Sequence, residues 1–155
     1  IITGYKELAD DMIISTGIYT RAVNSLSNDD VRVSKRLYVP SSRLRGFESG
    51  KVGPKDGDDH VGGNYVVTFN TSSTIPYVLQ TQENMDLKLF FDAGNVWGVD
   101  YSSSLDDSDT IRSSTGVALE ITTPIGPLSF SFAQVLSKAS TDKTESFKFQ
   151  LGTTF

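Results

Sequence analysis

The sequence predicts an all-β fold, an antiparallel up-and-down transmembrane β-barrel. Apolar and polar residues alternate along several segments, as in strands with one apolar face. The longer segments approach the roughly nine to eleven residues that cross a bilayer at a tilt. Aromatic residues also gather near the predicted strand ends, as they do at membrane interfaces: Tyr65, Tyr77, Trp97, Tyr101 and Phe155. A soluble barrel or sandwich with an apolar core would show the same alternation and stays open as an alternative.

Composition excludes several classes of function. The 155 residues carry a formal net charge of -5 and no basic cluster, so we expect no nucleic-acid partner. There is no cysteine, and His60 is the single histidine, which excludes thiolate sites and sites with two imidazoles. The acidic runs Asp56–Asp59 and Asp106–Asp109 are interpreted as solvated loops. We therefore expect no enzyme, no cofactor and no bound metal.

The strands are predicted in chain order from their alternation. Residues 1 to 8 end one strand, and Met12 to Val23 form a long second one. After residue 63 the alternation returns in five further segments, approximately 64–70, 85–94, 111–121, 128–133 and 146–154. Between them, residues 24 to 63 form a polar stretch with one possible short strand near Leu37–Val39. Loops of this length are uncommon and tend to be functional or disordered.

One charged pair connects this long loop to a predicted strand. Leu44, Arg45, Gly46 and Phe47 lie inside the loop, and Asp92 is a single carboxylate within the apolar strand Phe90–Trp97. If the loop folds back against the sheet, the planar guanidinium can take the carboxylate through two parallel hydrogen bonds. Gly46 would allow a sharp turn beside the arginine, and Phe47 would wedge the loop in place.

Four motifs in the same order resemble one known family. Leu44–Phe47 resembles the loop motif (V/I/L)RGF of BamA-type barrels, the central components of bacterial outer-membrane protein assembly. Phe90–Trp97 resembles the FxDxGxVW strand of that family. Gly116–Leu119 with Pro124–Ser131 resembles its G(I/V)xLxxxSPxGPLxFS hairpin, and Phe147–Phe155 resembles its FxFxxGxxF/W terminus.

The resemblance implies that residues 1–155 are the C-terminal fragment of a larger, sixteen-stranded barrel, roughly its last six strands. Residues 24–63 would be the family's large loop, which folds into the lumen. In that family the loop arginine contacts the strand aspartate, here Arg45 and Asp92. A second acidic residue is often present on the preceding strand, where this chain has Asn70. We expect Asn70 only to accept a neutral hydrogen bond and so to weaken the contact.

Residues 145–155 would be the terminal gate strand, which pairs loosely with the first strand of the barrel. Its outward residues would carry the terminal signal for insertion, and Gly152 would permit a kink. The terminal-strand residues are Phe147, Phe149, Leu151, Gly152 and Phe155. Trp97 is interpreted as an interfacial anchor.

The function implied is to fold and insert other barrel proteins into the outer membrane of a Gram-negative bacterium, through a weak seam at the last strand. The implied partners are the lipid bilayer, unfolded outer-membrane protein clients and accessory assembly lipoproteins. A fragment with open strand edges could also self-associate. Alternatives are a two-partner secretion pore or organellar member of the same superfamily, and a self-contained barrel acting as adhesin or structural protein. That barrel would have eight strands if Ile1–Tyr5 and Val31–Val39 are included. A soluble lipocalin-like binder is a further alternative.

Overall fold

The computed structural model describes residues 1–9, 12–26, 29–76, 78, 84–105 and 109–152. In chain order the strands are β1 (Ile2–Ala9), β2 (Met12–Ala22), β3 (Lys55–Asp56), β4 (Asp59–His60), β5 (Tyr65–Thr74), β6 (Met85–Trp97), β7 (Arg112–Thr123), β8 (Gly126–Ser137) and β9 (Phe147–Leu151). One antiparallel sheet dominates the structure, with seven of these strands in the order β1-β2-β5-β6-β7-β8-β9. The predicted all-β antiparallel fold is confirmed, with seven strands in the main sheet instead of roughly six.

The two faces of the sheet follow the predicted alternation. On the outer face, neighbouring strands bring large apolar residues together, for example Leu89 beside Val117 and Val117 beside Phe132. Leu89 is 52% and Phe132 58% exposed. An apolar surface this extensive is unfavourable in water and is the expected surface in lipid. On the inner face, Thr68, Asp92 and Ser114 are fully buried.

The inner face is buried where the long loop lies on it. Apolar residues of the loop pack against inward residues of β2, β5 and β6 in one core cluster: Tyr19, Leu37, Val39, Leu44, Phe47, Val52, Val66 and Val96. The hydrophobic core therefore forms between loop and sheet, while the alternating apolar face of the strands points outward. This arrangement is opposite to that of a soluble barrel, whose apolar strand face points inward.

Two details of residues 24–63 differ from expectation. Val31–Val39 is not a strand: Val33–Lys35 is a short 3-10 helix, and Leu37 makes an isolated bridge to Gly63. This removes the strand needed for a self-contained eight-stranded barrel. The loop instead contains the hairpin β3–β4, whose strands have two residues each and are too short to show a period.

Three sequence expectations fall wholly or partly on residues outside the described ranges: the interfacial Tyr77, the terminal Phe155 and most of the acidic run Asp106–Asp109. In the part of the chain that is described, no helix has the length and apolarity to cross a membrane.

Candidate functional site

Arg45 and Asp92 are brought together at the centre of the inner face. The guanidinium donates from Nε to Oδ2 at 2.7 Å and from Nη2 to Oδ1 at 2.8 Å. The backbone N–H of Arg45 donates to the same Oδ2 at 3.1 Å. The Asp92 side chain is 0% exposed and that of Arg45 16%. This is the bidentate geometry that lysine cannot reproduce.

An aromatic ring contacts the guanidinium of Arg45. The Arg45 Cζ lies 3.6 Å from the centroid of the Phe90 ring, a cation–π contact two residues before Asp92 on β6. Phe90 lies opposite Gly116 of β7, and a Cβ built at Gly116 would be 2.9 Å from Phe90 Cζ. The glycine in the predicted hairpin motif therefore leaves the space in which the Phe90 ring lies.

Asn70 acts as a donor, so the expectation that it only accepts a hydrogen bond was wrong. Its Nδ2 donates to Asp92 Oδ1 at 2.8 Å and to the carbonyl oxygen of Arg43 at 2.6 Å. An amide has both a donor and an acceptor end, and here the neighbouring groups are acceptors. Asn70 therefore adds a further donor to the carboxylate and binds the loop backbone, which strengthens the contact.

Asn70→Ala is expected to loosen the loop moderately, because both hydrogen bonds from Nδ2 are lost while the ion pair remains. Each such bond contributes about 0.5–1.5 kcal/mol, so we expect a loss of about 2 kcal/mol in the free energy of loop opening. Hydrogen exchange of the amides at 43–47 measures this. Ser72→Ala, on the same face of β5, removes one hydroxyl bonded to Ser15 and is the matched control. Equal exchange in the two variants would contradict the donor role.

The other residues of the tetrapeptide fill the space around the pair. Gly46 has a φ of +90°, and an added Cβ would lie 3.0 Å from Ala133 Cβ, so both conformation and space require glycine. Phe47 and Leu44 are 2% and 1% exposed, within the core cluster. Ser114 Oγ donates to the Arg45 carbonyl oxygen at 2.5 Å. The structure therefore brings all six predicted docking residues into one contact region.

Sequence reasoning missed a second buried ion pair, near the end of the sheet from which the loop emerges. Arg112, the first residue of β7, donates to both carboxylate oxygens of Asp142 at 2.9 and 3.2 Å. Both side chains are 0% exposed. The same guanidinium donates to Asn95 Oδ1 and to the Thr110 carbonyl oxygen.

Asp142 also binds the backbone of the long loop. Its Oδ1 accepts from the N–H of Gly53 at 3.1 Å, and its Oδ2 accepts from the N–H of Ala139 at 2.7 Å. Next to it, Nε2 of His60 in β4 lies 3.0 Å from the carbonyl oxygen of Thr141. The connection between β8 and β9 is thus attached to the loop as well as to the sheet.

His60 gives this attachment a pH dependence. Burial lowers the pKa of His60 below its ordinary 6.5, and Lys51 and Lys55 lower it further, although the Thr141 carbonyl and Asp142 oppose the shift. The buried Nδ1 has no hydrogen-bond partner among the described residues, so protonation there would create an unpaired donor. Because the folded pKa lies below the unfolded one, the attachment is strongest above about 6.5 and weakens as the pH falls towards the folded value.

We therefore expect amides of 59–61 to exchange severalfold faster relative to the rest of the loop as the pH is lowered from about 8 to about 5, after correction for intrinsic exchange. In His60→Gln the side-chain amide can still donate to Thr141 but does not titrate. This variant should lose the extra acceleration. The same acceleration in both proteins would exclude His60 as its source.

The predicted terminal strand is β9, of which the structure describes residues up to Gly152. Phe147 and Phe149 face outward and pack against Phe132 and Phe130, with ring centroids 4.9 and 5.1 Å apart. Leu151 lies opposite Leu128. Gly152 has a φ of +100° and donates its N–H to the Pro127 carbonyl oxygen. Its role as a gate kink stays a prediction.

Trp97 is the last residue of β6, and its ring stacks on that of Tyr65 with centroids 5.8 Å apart. Two aromatic rings at the same end of the sheet suit the predicted interfacial anchor, which stays a prediction. Among the residues the structure describes, no three acidic or histidine side chains come close enough to hold a metal ion.

One known protein superfamily matches almost the whole chain. Residues 2–155 match the Omp85 superfamily domain. The chain belongs to this superfamily. It is 30% identical to the outer membrane protein assembly factor BamA of Neorickettsia risticii over 132 residues, and 32% identical to that of Neisseria meningitidis over 139 residues. A SAM50-like protein of Schizosaccharomyces pombe is 30% identical over 128 residues.

The share of each relative that is covered is small. The matches span 83%, 72% and 79% of this chain but 18%, 17% and 26% of the three relatives. Among solved structures, the crystal structure of BamA from Haemophilus ducreyi lacking POTRA domains 1-3 superposes with a TM-score of 0.85 at 29% identity. That match covers 95% of this chain and 32% of the other. The chain thus corresponds to the C-terminal portion of a BamA barrel.

Proposed function

We propose that this chain is the part of an outer-membrane assembly factor that presents the last barrel strand to client proteins. It acts by main-chain strand pairing, without cofactor or covalent chemistry. The observation that carries this proposal is β9. Within the described residues, which end at Gly152, it spans five residues, whereas the other strands of the sheet span eight to thirteen. A short strand has fewer ladder hydrogen bonds to break, so it is the place where a barrel opens most readily.

The hydrogen-bonding directions of β9 define its free edge. The Ser146 carbonyl accepts from Ala133, and the Gly152 N–H donates to Pro127, both towards β8. Because ladder bonds alternate in an antiparallel pair, the backbone groups of Lys148 and Gln150 also point towards β8. Those of Phe147, Phe149 and Leu151 point away from it. Within the described residues, β9 pairs with β8 alone, so this free edge, called the outer edge of β9 below, can receive another strand.

The proposed setting is the outer membrane of a Gram-negative bacterium, with unfolded outer-membrane proteins as clients and accessory assembly lipoproteins as partners. The bacterial assembly factors among the relatives support this setting, and the yeast relative marks an organellar setting as the alternative. In the proposed mechanism the docked loop braces the inner wall next to β9 while the outer edge of β9 exchanges partners.

The test uses the full-length protein in liposomes with a urea-unfolded outer-membrane barrel as client. Phe149→Pro removes a donor from the outer edge of β9 and leaves the β8 ladder intact, since proline is tolerated where the N–H faces away from the sheet. Phe149→Ala removes the ring and keeps the donor, and is the control. We expect client folding to fall about tenfold in Phe149→Pro, the factor that about 1.4 kcal/mol gives, and to change little in Phe149→Ala.

Two results would contradict the proposal. Equal client folding by Phe149→Pro and the unaltered protein would exclude the outer edge of β9 as the pairing surface. No acceleration of client folding by the unaltered protein would exclude the assembly function itself and favour a secretion pore of the same superfamily.

A further inference from the structure

The docked tetrapeptide touches the chain that leads into β9. The Gly46 carbonyl oxygen accepts from the N–H of Glu145 at 3.0 Å, and Phe47 forms an antiparallel bridge with Thr144. Ser146 follows immediately and bonds Ala133 of β8. The tetrapeptide therefore holds Asp92 through Arg45 and the entry to β9 through Gly46 and Phe47.

Two further backbone bonds continue this contact. The N–H of Glu48 donates to the Lys143 carbonyl oxygen, and the N–H of Lys143 donates to the Lys51 carbonyl oxygen, each at 3.0 Å. Residues 46–51 thus run beside residues 143–145, joined by these backbone bonds and by the isolated bridge between Phe47 and Thr144. Asp142, the next residue, is held by Arg112 and bonds Gly53 at the far end of the same loop segment.

We propose that Arg112 and Asp142 form a latch that fastens the entry of β9 to the docked loop, so that loop docking and β9 pairing are coupled. This inference rests on the proposed role of β9 and adds the device that controls it. The described part of β9 has five ladder residues, so its position depends also on the nine residues that connect it to β8. A fully buried, bidentate ion pair is the strongest constraint in that connection.

Burial explains why this pair acts as a single unit. Both side chains are 0% exposed, and the carboxylate accepts four hydrogen bonds, two of them from backbone N–H groups of different segments. Removal of the charge on Asp142 takes away the carboxylate that the buried Arg112 guanidinium binds through Nε and Nη2. In Asp142→Asn an NH2 group replaces one of the two acceptor oxygens, so part of these bonds is lost and the segment 139–146 is released at its centre.

The test compares hydrogen exchange of the full-length protein and its Asp142→Asn variant. We expect the amides of 143–151 to exchange at least about tenfold faster in the variant, with the β2–β5 ladder unchanged, as in local rather than global opening. The control is Asp100→Asn. Asp100 also ties the long loop, through the Val31 N–H and the Asn64 side chain, but does not contact 139–146. Its loss should accelerate exchange near Val31 and leave 143–151 unchanged.

A tether provides a second test that separates coupling from general damage. Glu48→Cys with Lys143→Cys joins the loop to the β9 entry across the observed backbone contact. In the Asp142→Asn background, the oxidised tether should restore protection of 143–151, and reduction should remove it. Exchange that rises equally in all strands, that is unchanged at 143–151, or that the tether fails to restore would overturn the latch. Hydrogen exchange is measured without client protein. A failure of client folding alone would therefore contradict the proposed function and leave the latch standing.

Discussion

Arg45→Lys is expected to undock the long loop almost as completely as Arg45→Ala, although lysine keeps the positive charge. Asp92 is 0% exposed and takes two parallel bonds from the guanidinium. A single ammonium cannot make both, and it would lose the flat contact with the Phe90 ring at 3.6 Å. Breaking a buried ion pair by removing one partner costs about 3–5 kcal/mol. We therefore expect the free energy of loop opening to fall by this amount in Arg45→Ala and by slightly less in Arg45→Lys.

Protease sensitivity of residues 40–60 in the full-length protein measures this effect, with outer-membrane protein yield as the functional readout. The control is Lys88→Ala. Lys88 forms an inward-facing ion pair with Glu120, but the side chains are 22% and 43% exposed, so its loss is worth at most about 1 kcal/mol. If Arg45→Lys keeps the protease resistance of the unaltered protein, the bidentate geometry is not what holds the loop.

Gly116→Ala is expected to destabilise the sheet and disturb the docking site together. A Cβ at this position would lie 2.0 Å from the Phe132 carbonyl oxygen and 2.9 Å from Phe90 Cζ. The first contact forces β7 and β8 apart, and the second displaces the ring beneath Arg45. Overpacking of this kind typically costs about 1–3 kcal/mol, and the backbone clash places this case at about 3 kcal/mol.

The free energy of unfolding in detergent tests the predicted destabilisation of the sheet. Protease cleavage of the loop tests the predicted disturbance of the docking site. Gly4→Ala is the control, because a Cβ at Gly4 on β1 meets nothing within 4 Å. An effect on stability with full protection of the loop would show that Phe90 adapts without moving Arg45.

Much of this fold could be predicted because a period of two is a strong local signal. Leu89, Val117 and Phe132 face the outer surface as their alternation indicated, and the structure adds that this face is the exposed one. The hairpin β3–β4 was missed because two-residue strands carry no period. The Gly57-Asp58 pair at its turn was the available signal, since glycine at the first central position suits tight hairpin turns.

The two ion pairs show what limits prediction of the site. Asp92 could be singled out because a lone carboxylate among bulky apolar residues needs a partner, and Arg45 lies in a recognisable motif. Asp142 sits in an ordinary polar turn beside Thr141 and Lys143, and its burial arises only when Gly53 and His60 of the loop cover it. That burial is a product of tertiary contacts that no local pattern encodes.

The most direct test of the docked loop is a double-mutant cycle on Arg45→Ala and Asp92→Ala in the full-length protein. Hydrogen exchange of the amides of 44–47 gives the free energy of loop opening in each variant. The docked geometry predicts a coupling of about 3 kcal/mol, well above the roughly 1 kcal/mol of exposed pairs. Additive effects, with coupling near zero, would show that Arg45 and Asp92 act independently and that the loop is held by its apolar contacts alone.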